Sequence, residues 1–330
     1  MTYKVVVVQP IHEDGLNLLR SRPDVRVVIP PSIDREAVMP LLADTDALAI
    51  RVSRVDAGMI AAAPRLKVIS RHGVGVDNID IDAATKAGVP VTTVGEANAP
   101  SVVEHTIAMM YALAKRLPDY DDAVRSGDYW RKMKLEAIDV AGRTVLIVGL
   151  GRIGSRLAVV LNALGLKCLG IDPAFTPAEI RAMGCEPVAT LHEALPRADF
   201  LTVHCPLQAD TRDLIGAAEL ALMKPSAYVI NCARGGIVNE AALLAALNGG
   251  RLMGAGVDVQ VEEPPKPDDP LLGCKRLILT PHSAATTAEG VVRMAVAVAQ
   301  NILDCFDGKL VRSNVFNPAV LDQRQRAAGE

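Results

Sequence analysis

Val148-Gly149-Leu150-Gly151-Arg152-Ile153-Gly154 decides how this chain is read. The residues before it, Thr144–Val148, are β-branched and apolar and read as a strand. The residues after it, Ser155–Leu164, have helical spacing. Glycines spaced Gly-x-Gly-x-x-Gly between a strand and a helix are suited to cradling a pyrophosphate. Gly149 allows the tight turn, Gly151 lets backbone approach the phosphates, and Gly154 lets helix and strand pack closely. The helix start adds free N–H groups and the positive end of a dipole.

Such a loop alone is weak grounds for a nucleotide site. A second strand, Lys167–Ile171, strengthens it by ending in Gly170-Ile171-Asp172. An acid about 20 residues beyond the glycines accepts hydrogen bonds from ribose hydroxyls and repels a 2′-phosphate. Pro173, Ala174 and Phe175 follow it, with no Arg, so NAD is expected rather than NADP. Methyltransferases also pair a glycine-rich loop with a strand-end acid, so residues further along must decide the chemistry.

Outward from this loop the chain alternates strands and helices. Further strands are expected at Phe200–His204, Tyr228–Asn231, Gly254–Val259 and Leu277–Thr280. Before the loop the same alternation covers Lys4–Gln9, Val25–Ile29, Asp46–Ile50, Lys67–Ser70 and Val89–Thr92, with a helix at Glu13–Ser21. Ser101–Leu117 reads as a long helix with Glu104 in its first turn and Pro118 as its stop. Alternating strands and helices imply parallel sheets. The composition agrees: 50% of residues are hydrophobic and 3% aromatic, a Val, Ile, Leu and Ala diet suited to strands buried on both faces.

A length of 330 residues accommodates two domains. The helix at Ala288–Cys305 follows completion of the second sheet and must pack elsewhere. Residues 1–101 with 284–330 are therefore expected to form one domain and 102–283 the other. The residues from Asp322 on are polar and expected to fray. The chain ends soon after the last helix, so no appended regulatory domain is expected.

A net charge of −3 offers nothing to nucleic acid or an anionic membrane surface, and no apolar run is long enough to span a bilayer. Cys168, Cys185, Cys205, Cys232, Cys274 and Cys305 are scattered, with no Cys-x-x-Cys pair. They read as small buried apolar residues of a reduced, cytoplasmic protein, neither disulfide framework nor metal site. His12, His72, His105 and His192 read as structural or surface residues.

Three strand ends carry candidate chemistry: Arg234 in Cys232-Ala233-Arg234-Gly235-Gly236, Glu263 in Glu262-Glu263-Pro264, and His282 in Thr280-Pro281-His282. Carboxyl ends of strands are where open α/β sheets bind ligands. A cation to hold a carboxylate, a group that titrates near neutral pH and an acid to orient it are what hydride exchange with a 2-keto acid demands.

With these residues the chain resembles the D-isomer-specific 2-hydroxyacid dehydrogenase family. Arg71-His72-Gly73-Val74-Gly75-Val76-Asp77-Asn78, the glycine loop, Thr202-Val203-His204-Cys205-Pro206-Leu207, Cys232–Gly236 and Thr280–His282 occur in the family's order. The resemblance covers roughly residues 3–318. It implies two Rossmann-like doubly wound parallel-sheet domains with a substrate cleft between them, closing over a small 2-hydroxy or 2-keto acid.

The same resemblance implies roles. His282 is the general acid and base, and Glu263 bonds to it and favours its imidazolium form. Arg234 holds the substrate carboxylate and carbonyl, a bidentate task. Val74 and Gly75 offer backbone N–H groups to that carboxylate. Arg152 and Ile153 lie at the pyrophosphate, while His204, Cys205 and Pro206 lie on the adenosine side. Cys232, Ala233, Arg234, Asp258, His282 and Ala285 face the nicotinamide end. A homodimer through the NAD-binding domain is implied.

Three places depart from the family pattern: Gln260 where Phe or Tyr is common, Asn239 where Asp is common, and the pair Ala284-Ala285 where a Gly is usual. The added methyls are expected to narrow the pocket near the nicotinamide. Arg51, after the strand Asp46–Ile50, suits a phosphorylated substrate. Oxidation of 3-phosphoglycerate is the first expectation, with glyoxylate or hydroxypyruvate reduction as the alternative. Arg131-Lys132-Met133-Lys134 beside Trp130 is a basic stretch that reads as solvated, with a substrate phosphate or partner subunit as the other possibility. A NADH-sensing, corepressor-like binding protein is the reading from another class.

Overall fold

The computed structural model describes residues 2–323. These divide into two compact units: the described parts of Met1–Asn98 and Thr287–Glu330, and Ala99–Thr286.

The first unit has five parallel strands: β1 (Tyr3–Val7), β2 (Val25–Val28), β3 (Ala47–Ile50), β4 (Val68–Arg71) and β5 (Val91–Thr92), in the order β2-β1-β3-β4-β5. β3 is fully buried, and only the first residue of β1 escapes burial. That explains their unbroken apolar character, since both faces of a parallel sheet are covered. The returning segment completes this unit. Its helix, Ala288–Phe306, accepts a hydrogen bond from Ser70 Oγ at Val298 O (3.1 Å), and Asn301 Nδ2 donates to Thr93 O (2.9 Å). Tyr3 stacks on Phe306 with ring centroids 4.1 Å apart.

The second unit has seven parallel strands: β6 (Thr144–Val148), β7 (Lys167–Ile171), β8 (Glu186–Pro187), β9 (Phe200–Val203), β10 (Tyr228–Asn231), β11 (Gly254–Val257) and β12 (Leu277–Leu279). Their order is β12-β11-β10-β9-β6-β7-β8. The chain runs outward from β6 through β7 and β8, then returns to β9 on the other side. The reversal between β6 and β9 opens a crevice at their carboxyl ends. Alternate residues supply the two faces: Val145 and Ile147 join one apolar cluster, Leu146 and Val148 the other.

Several expectations need correction. The long helix spans Ala99–Ala114, so Glu104 falls outside its first turn. Pro118 does not stop it. Arg116 turns the chain in a left-handed conformation (φ 50°), and Pro118 then sits in the first turn of a new helix, Leu117–Arg125. Proline is tolerated there because that N–H has no helical acceptor. The two-residue strand β8 was not expected; it is too short to carry a periodic signal.

The cysteines are less uniform than expected: Cys168, Cys185 and Cys232 are buried, whereas Cys205, Cys274 and Cys305 are partly exposed. Cys168 Sγ donates to Ala158 O at 3.8 Å. Asp322, expected to fray, lies in a helical turn and pairs with Arg312 at 2.7 Å; residues 324–330 of that expectation lie outside the described residues. Among the described residues no helix is long and apolar enough to cross a membrane, and no cluster of His, Cys, Asp or Glu is disposed to hold a metal ion.

Candidate active site

The glycine loop leaves β6 and enters the helix Gly154–Ala163. Gly149 has φ 91°, where a side chain is strained, and an added Cβ would lie 2.6 Å from Cys205 N at the end of β9. At Gly154 a Cβ would lie 2.0 Å from Gly149 O. Gly151 differs: no protein atom lies within 4 Å of a Cβ built there. The backbone N–H groups of Gly151 and Ile153 have no protein acceptor among the described residues. Open space, free donors and a helix start together fit a pyrophosphate.

Asp172 follows β7 as expected. Its Oδ2 accepts from Leu150 N (2.7 Å) and its Oδ1 from Ala174 N (2.9 Å). A carboxylate has about four acceptor positions, so two remain for ribose hydroxyls. The acid is thereby tied to the glycine loop itself. Across the crevice, burial drives the His204 ring down to a pKa of about 4, so it is neutral, and its Nε2 bonds with Thr202 Oγ1 at 2.9 Å. Burial pushes the Cys205 thiol up to about 11, so it is no thiolate at neutral pH. Pro206 is exposed at the same edge. These residues fit a dinucleotide.

After β10, Asn231 shapes the turn that carries Arg234. Its Oδ1 accepts from Ala233 N (3.0 Å), and its Nδ2 donates to Arg234 O (2.9 Å). Arg234 Nη1 donates to Ala233 O at 2.7 Å. Cys232 beneath it is buried, with its thiol pushed up to about 12 by that burial.

Beyond β12, His282 holds φ 51°, a left-handed conformation uncommon outside glycine and sustained by backbone bonds: His282 N donates to Asp258 O (2.7 Å) and Thr280 O (3.0 Å). His282 Nδ1 lies 2.7 Å from Glu263 Oε2. The other carboxylate oxygen, Oε1, accepts from Gln260 N at 2.9 Å. Burial pushes the Glu263 carboxyl up, but the His282 and Gln260 bonds, with the charges of His282 and Arg234, bring it below its usual range. Glu263 is therefore ionised at neutral pH and faces an imidazole from a fixed direction.

Asp258, 1% exposed, ties the loop together: Oδ1 accepts from Thr280 Oγ1 (2.5 Å) and Ser283 N (2.8 Å), and Oδ2 from Ala284 N (2.9 Å). Ala284 is buried and Ala285 partly buried against the same apolar cluster. Of the departures from the family pattern, Asn239 caps the helix Glu240–Asn248 by accepting from Ala242 N. Gln260 is buried and contributes its backbone N–H to Glu263.

Arg234, Glu263, His282 and Asp258 thus share the carboxyl edge of one sheet. Arg51, Val74 and Gly75 belong to the first unit, after β3 and β4. There Gln9 Oε1 accepts from three consecutive N–H groups, those of Arg51, Val52 and Ser53, at 3.0, 2.6 and 3.0 Å. Val74 and Gly75 N–H have no protein acceptor among the described residues. His72 is buried, and burial together with the Arg51 charge lowers its pKa to about 4. The sequence assigned no role to Asn231 or Gln9, and His105 was expected to be structural or surface. The last bonds through Nε2 to Thr280 Oγ1 at 3.1 Å. No short-range signal marks them, because each acts on loops or chain ends far from itself or only through its turn.

The strand order, the reversal at β6 and β9 and the glycine loop define a dinucleotide-binding α/β protein. Residues 107–284 match the family described as D-isomer specific 2-hydroxyacid dehydrogenase, NAD binding domain. The chain is 38% identical over 323 residues to a D-3-phosphoglycerate dehydrogenase of Methanocaldococcus jannaschii, covering 97% of this chain and 61% of that protein. It is 35% identical over 332 residues to a glyoxylate reductase of Aeropyrum pernix, covering 98% of each. The crystal structure of a D-lactate dehydrogenase from Aquifex aeolicus with NAD and lactic acid superposes with a TM-score of 0.84 at 29% identity, over 95% of this chain and 99% of that one. The chain belongs to the D-isomer specific 2-hydroxyacid dehydrogenase family, and its second unit contains the family's NAD-binding domain. It spans about 61% of the length of the phosphoglycerate dehydrogenase from M. jannaschii.

Proposed function

We propose that the chain interconverts a small D-2-hydroxy acid and its 2-keto acid, with NAD as redox partner and 3-phosphoglycerate as the first-choice substrate. The observation that carries this reading is the His282–Glu263 pair, 2.7 Å apart, with the Arg234 charge acting on the same carboxylate.

NAD, when bound, takes or supplies the hydride. Gly151, Arg152, Ile153 and Asp172 would hold its pyrophosphate and ribose, and Asp258 with Cys232 and Ala233 its nicotinamide end. The residues of the chain do the rest. Glu263 accepts the Nδ1 proton of His282, which leaves Nε2 as the atom that takes the hydroxyl proton in oxidation and returns it in reduction. Arg234 binds the substrate carboxylate and polarises its carbonyl. In the first unit, Val74 and Gly75 offer N–H donors suited to a carboxylate, and Arg51 a cation suited to a phosphate.

The test is a panel run with the chain as it stands: NAD reduction with 3-phosphoglycerate and D-glycerate, and NADH oxidation with glyoxylate and hydroxypyruvate. Turnover is expected on at least one pair, and none on any would turn the reading toward a NADH-binding protein. Arg51→Ala is expected to lose activity on 3-phosphoglycerate by about tenfold or more, the worth of one charge-assisted contact, with D-glycerate little changed. Equal losses on both would remove the phosphate role.

Asp172 supports NAD over NADP. Asp172→Ala is expected to narrow the preference by at least about tenfold, because a 2′-phosphate no longer meets a carboxylate. Comparison of kcat/KM for the two cofactors checks this, and unchanged discrimination would count against the ribose role.

A homodimer through the NAD-binding domain is the proposed assembly. Val124, Tyr129 and Met133 are more than half exposed around a cavity of about 410 Å³, and Trp130, next in sequence to Tyr129, is exposed as well, an apolar surface suited to a second copy. A monomeric mass in sedimentation would remove it. Six free cysteines support a reducing compartment, the cytoplasm.

A further inference from the structure

His105 lies on the helix Ala99–Ala114 and is joined to the site by two hydrogen bonds in series. Its Nε2 lies 3.1 Å from Thr280 Oγ1, and Thr280 Oγ1 lies 2.5 Å from Asp258 Oδ1. The direction of both bonds follows from proton counting. A carboxylate only accepts, so the single Thr280 hydroxyl proton points to Asp258. Thr280 therefore accepts from His105, and the His105 Nε2 carries a proton.

Asp258 has about four acceptor positions, three of them occupied by Thr280 Oγ1, Ser283 N and Ala284 N. Its backbone carbonyl takes a fourth donor, the N–H of His282. Asp258 therefore holds both the loop carrying His282 and one unoccupied acceptor position at the carboxyl edge of the sheet. The helix needs no help from His105 to stay in place, since Val102, Val103, Met109, Met110 and Leu113 bury it in the core. The His105 side chain, by contrast, is 23% exposed.

We infer that His105 is a positioning residue that acts through Thr280 to fix the Asp258 carboxylate, and with it the nicotinamide end of the bound cofactor. This rests on the proposed NAD-dependent reading. A donor at His105 locks the Thr280 hydroxyl in one rotamer and polarises it toward Asp258. Without that donor the hydroxyl is free to turn away and leave a buried carboxylate short of a partner. The adenosine end, held by the glycine loop and Asp172, has no part in this chain of bonds.

Calorimetric binding of NADH and of ADP-ribose, which lacks the nicotinamide, separates the two ends. His105→Leu is expected to weaken NADH about 5- to 10-fold, the scale of one hydrogen bond, and to change ADP-ribose by less than about twofold. His105→Gln, which restores an N–H donor, is expected to recover most of the loss. Equal weakening of both ligands, unchanged NADH affinity, or a Gln variant no better than Leu would overturn the proposal. If the Leu variant does not fold, Thr280→Val carries the same expectation and the same refutation. A wild-type chain that binds neither ligand would instead overturn the dinucleotide reading, and this proposal with it.

Discussion

Turnover of the His282→Asn variant is expected to fall by about 10²–10⁴-fold while NADH still binds. The fall follows from the proton. Nε2 is the only titratable atom of the His282–Glu263 pair left to exchange with substrate, because Nδ1 is committed to Glu263 at 2.7 Å. An amide side chain has no proton to give or take near neutral pH. Asn is the better replacement because His282 sits at φ 51°, a conformation Asn adopts more readily than most residues. His282→Gln, which reaches further toward Glu263 but fits that backbone less well, serves as the second variant. Similar losses in both assign the effect to proton transfer. Near wild-type turnover in either would refute the acid–base role.

The second large effect is structural. Gly154→Ala is expected to destabilise the chain by about 1–3 kcal/mol or more and to abolish measurable NADH binding. The new methyl would lie 2.0 Å from Gly149 O and 3.0 Å from Gly149 C, both backbone atoms that move only with the loop. Gly151→Ala is the control, since a Cβ there meets no protein atom within 4 Å. It should unfold at the wild-type denaturant concentration yet bind NADH more weakly, because its methyl occupies space left for phosphates. Denaturant unfolding and NADH titration of both variants check this. A Gly154→Ala protein as stable as wild type, or a Gly151→Ala protein with undiminished NADH affinity, would sink the corresponding half.

Much of this was legible because the local chemistry is restrictive. Only glycine satisfies φ 91° at Gly149 and the 2.0 Å approach at Gly154, so the loop announced itself, and β6 and β7 were read with their observed ends. Arg234, Glu263 and His282 stood out as candidates because each follows the carboxyl end of an expected strand. The break between Ala114 and Leu117 was missed because it uses a left-handed Arg116 in place of glycine. Its guanidinium bonds to Asp119 at 2.8 Å, a contact no propensity scale records. Residue β8 pairing was missed because two residues have no period. His105 was read as structural because its partner lies 175 residues away, and only the fold brings Thr280 beside it.

The returning segment has a consequence for how the chain is made. A ribosome delivers β1 to β5 first, but the helix Ala288–Phe306, which bonds to Ser70 of that sheet and to Thr93 just after it, emerges only after the second unit. The whole second unit is synthesised in between and has its own complete sheet. The segment encoded first is thus the one finished second, and a nascent chain arrested before residue 288 carries a complete second sheet while β3 and β4 of the first still lack the helix that packs on them. At that stage the first unit is a substrate for chaperones and proteases.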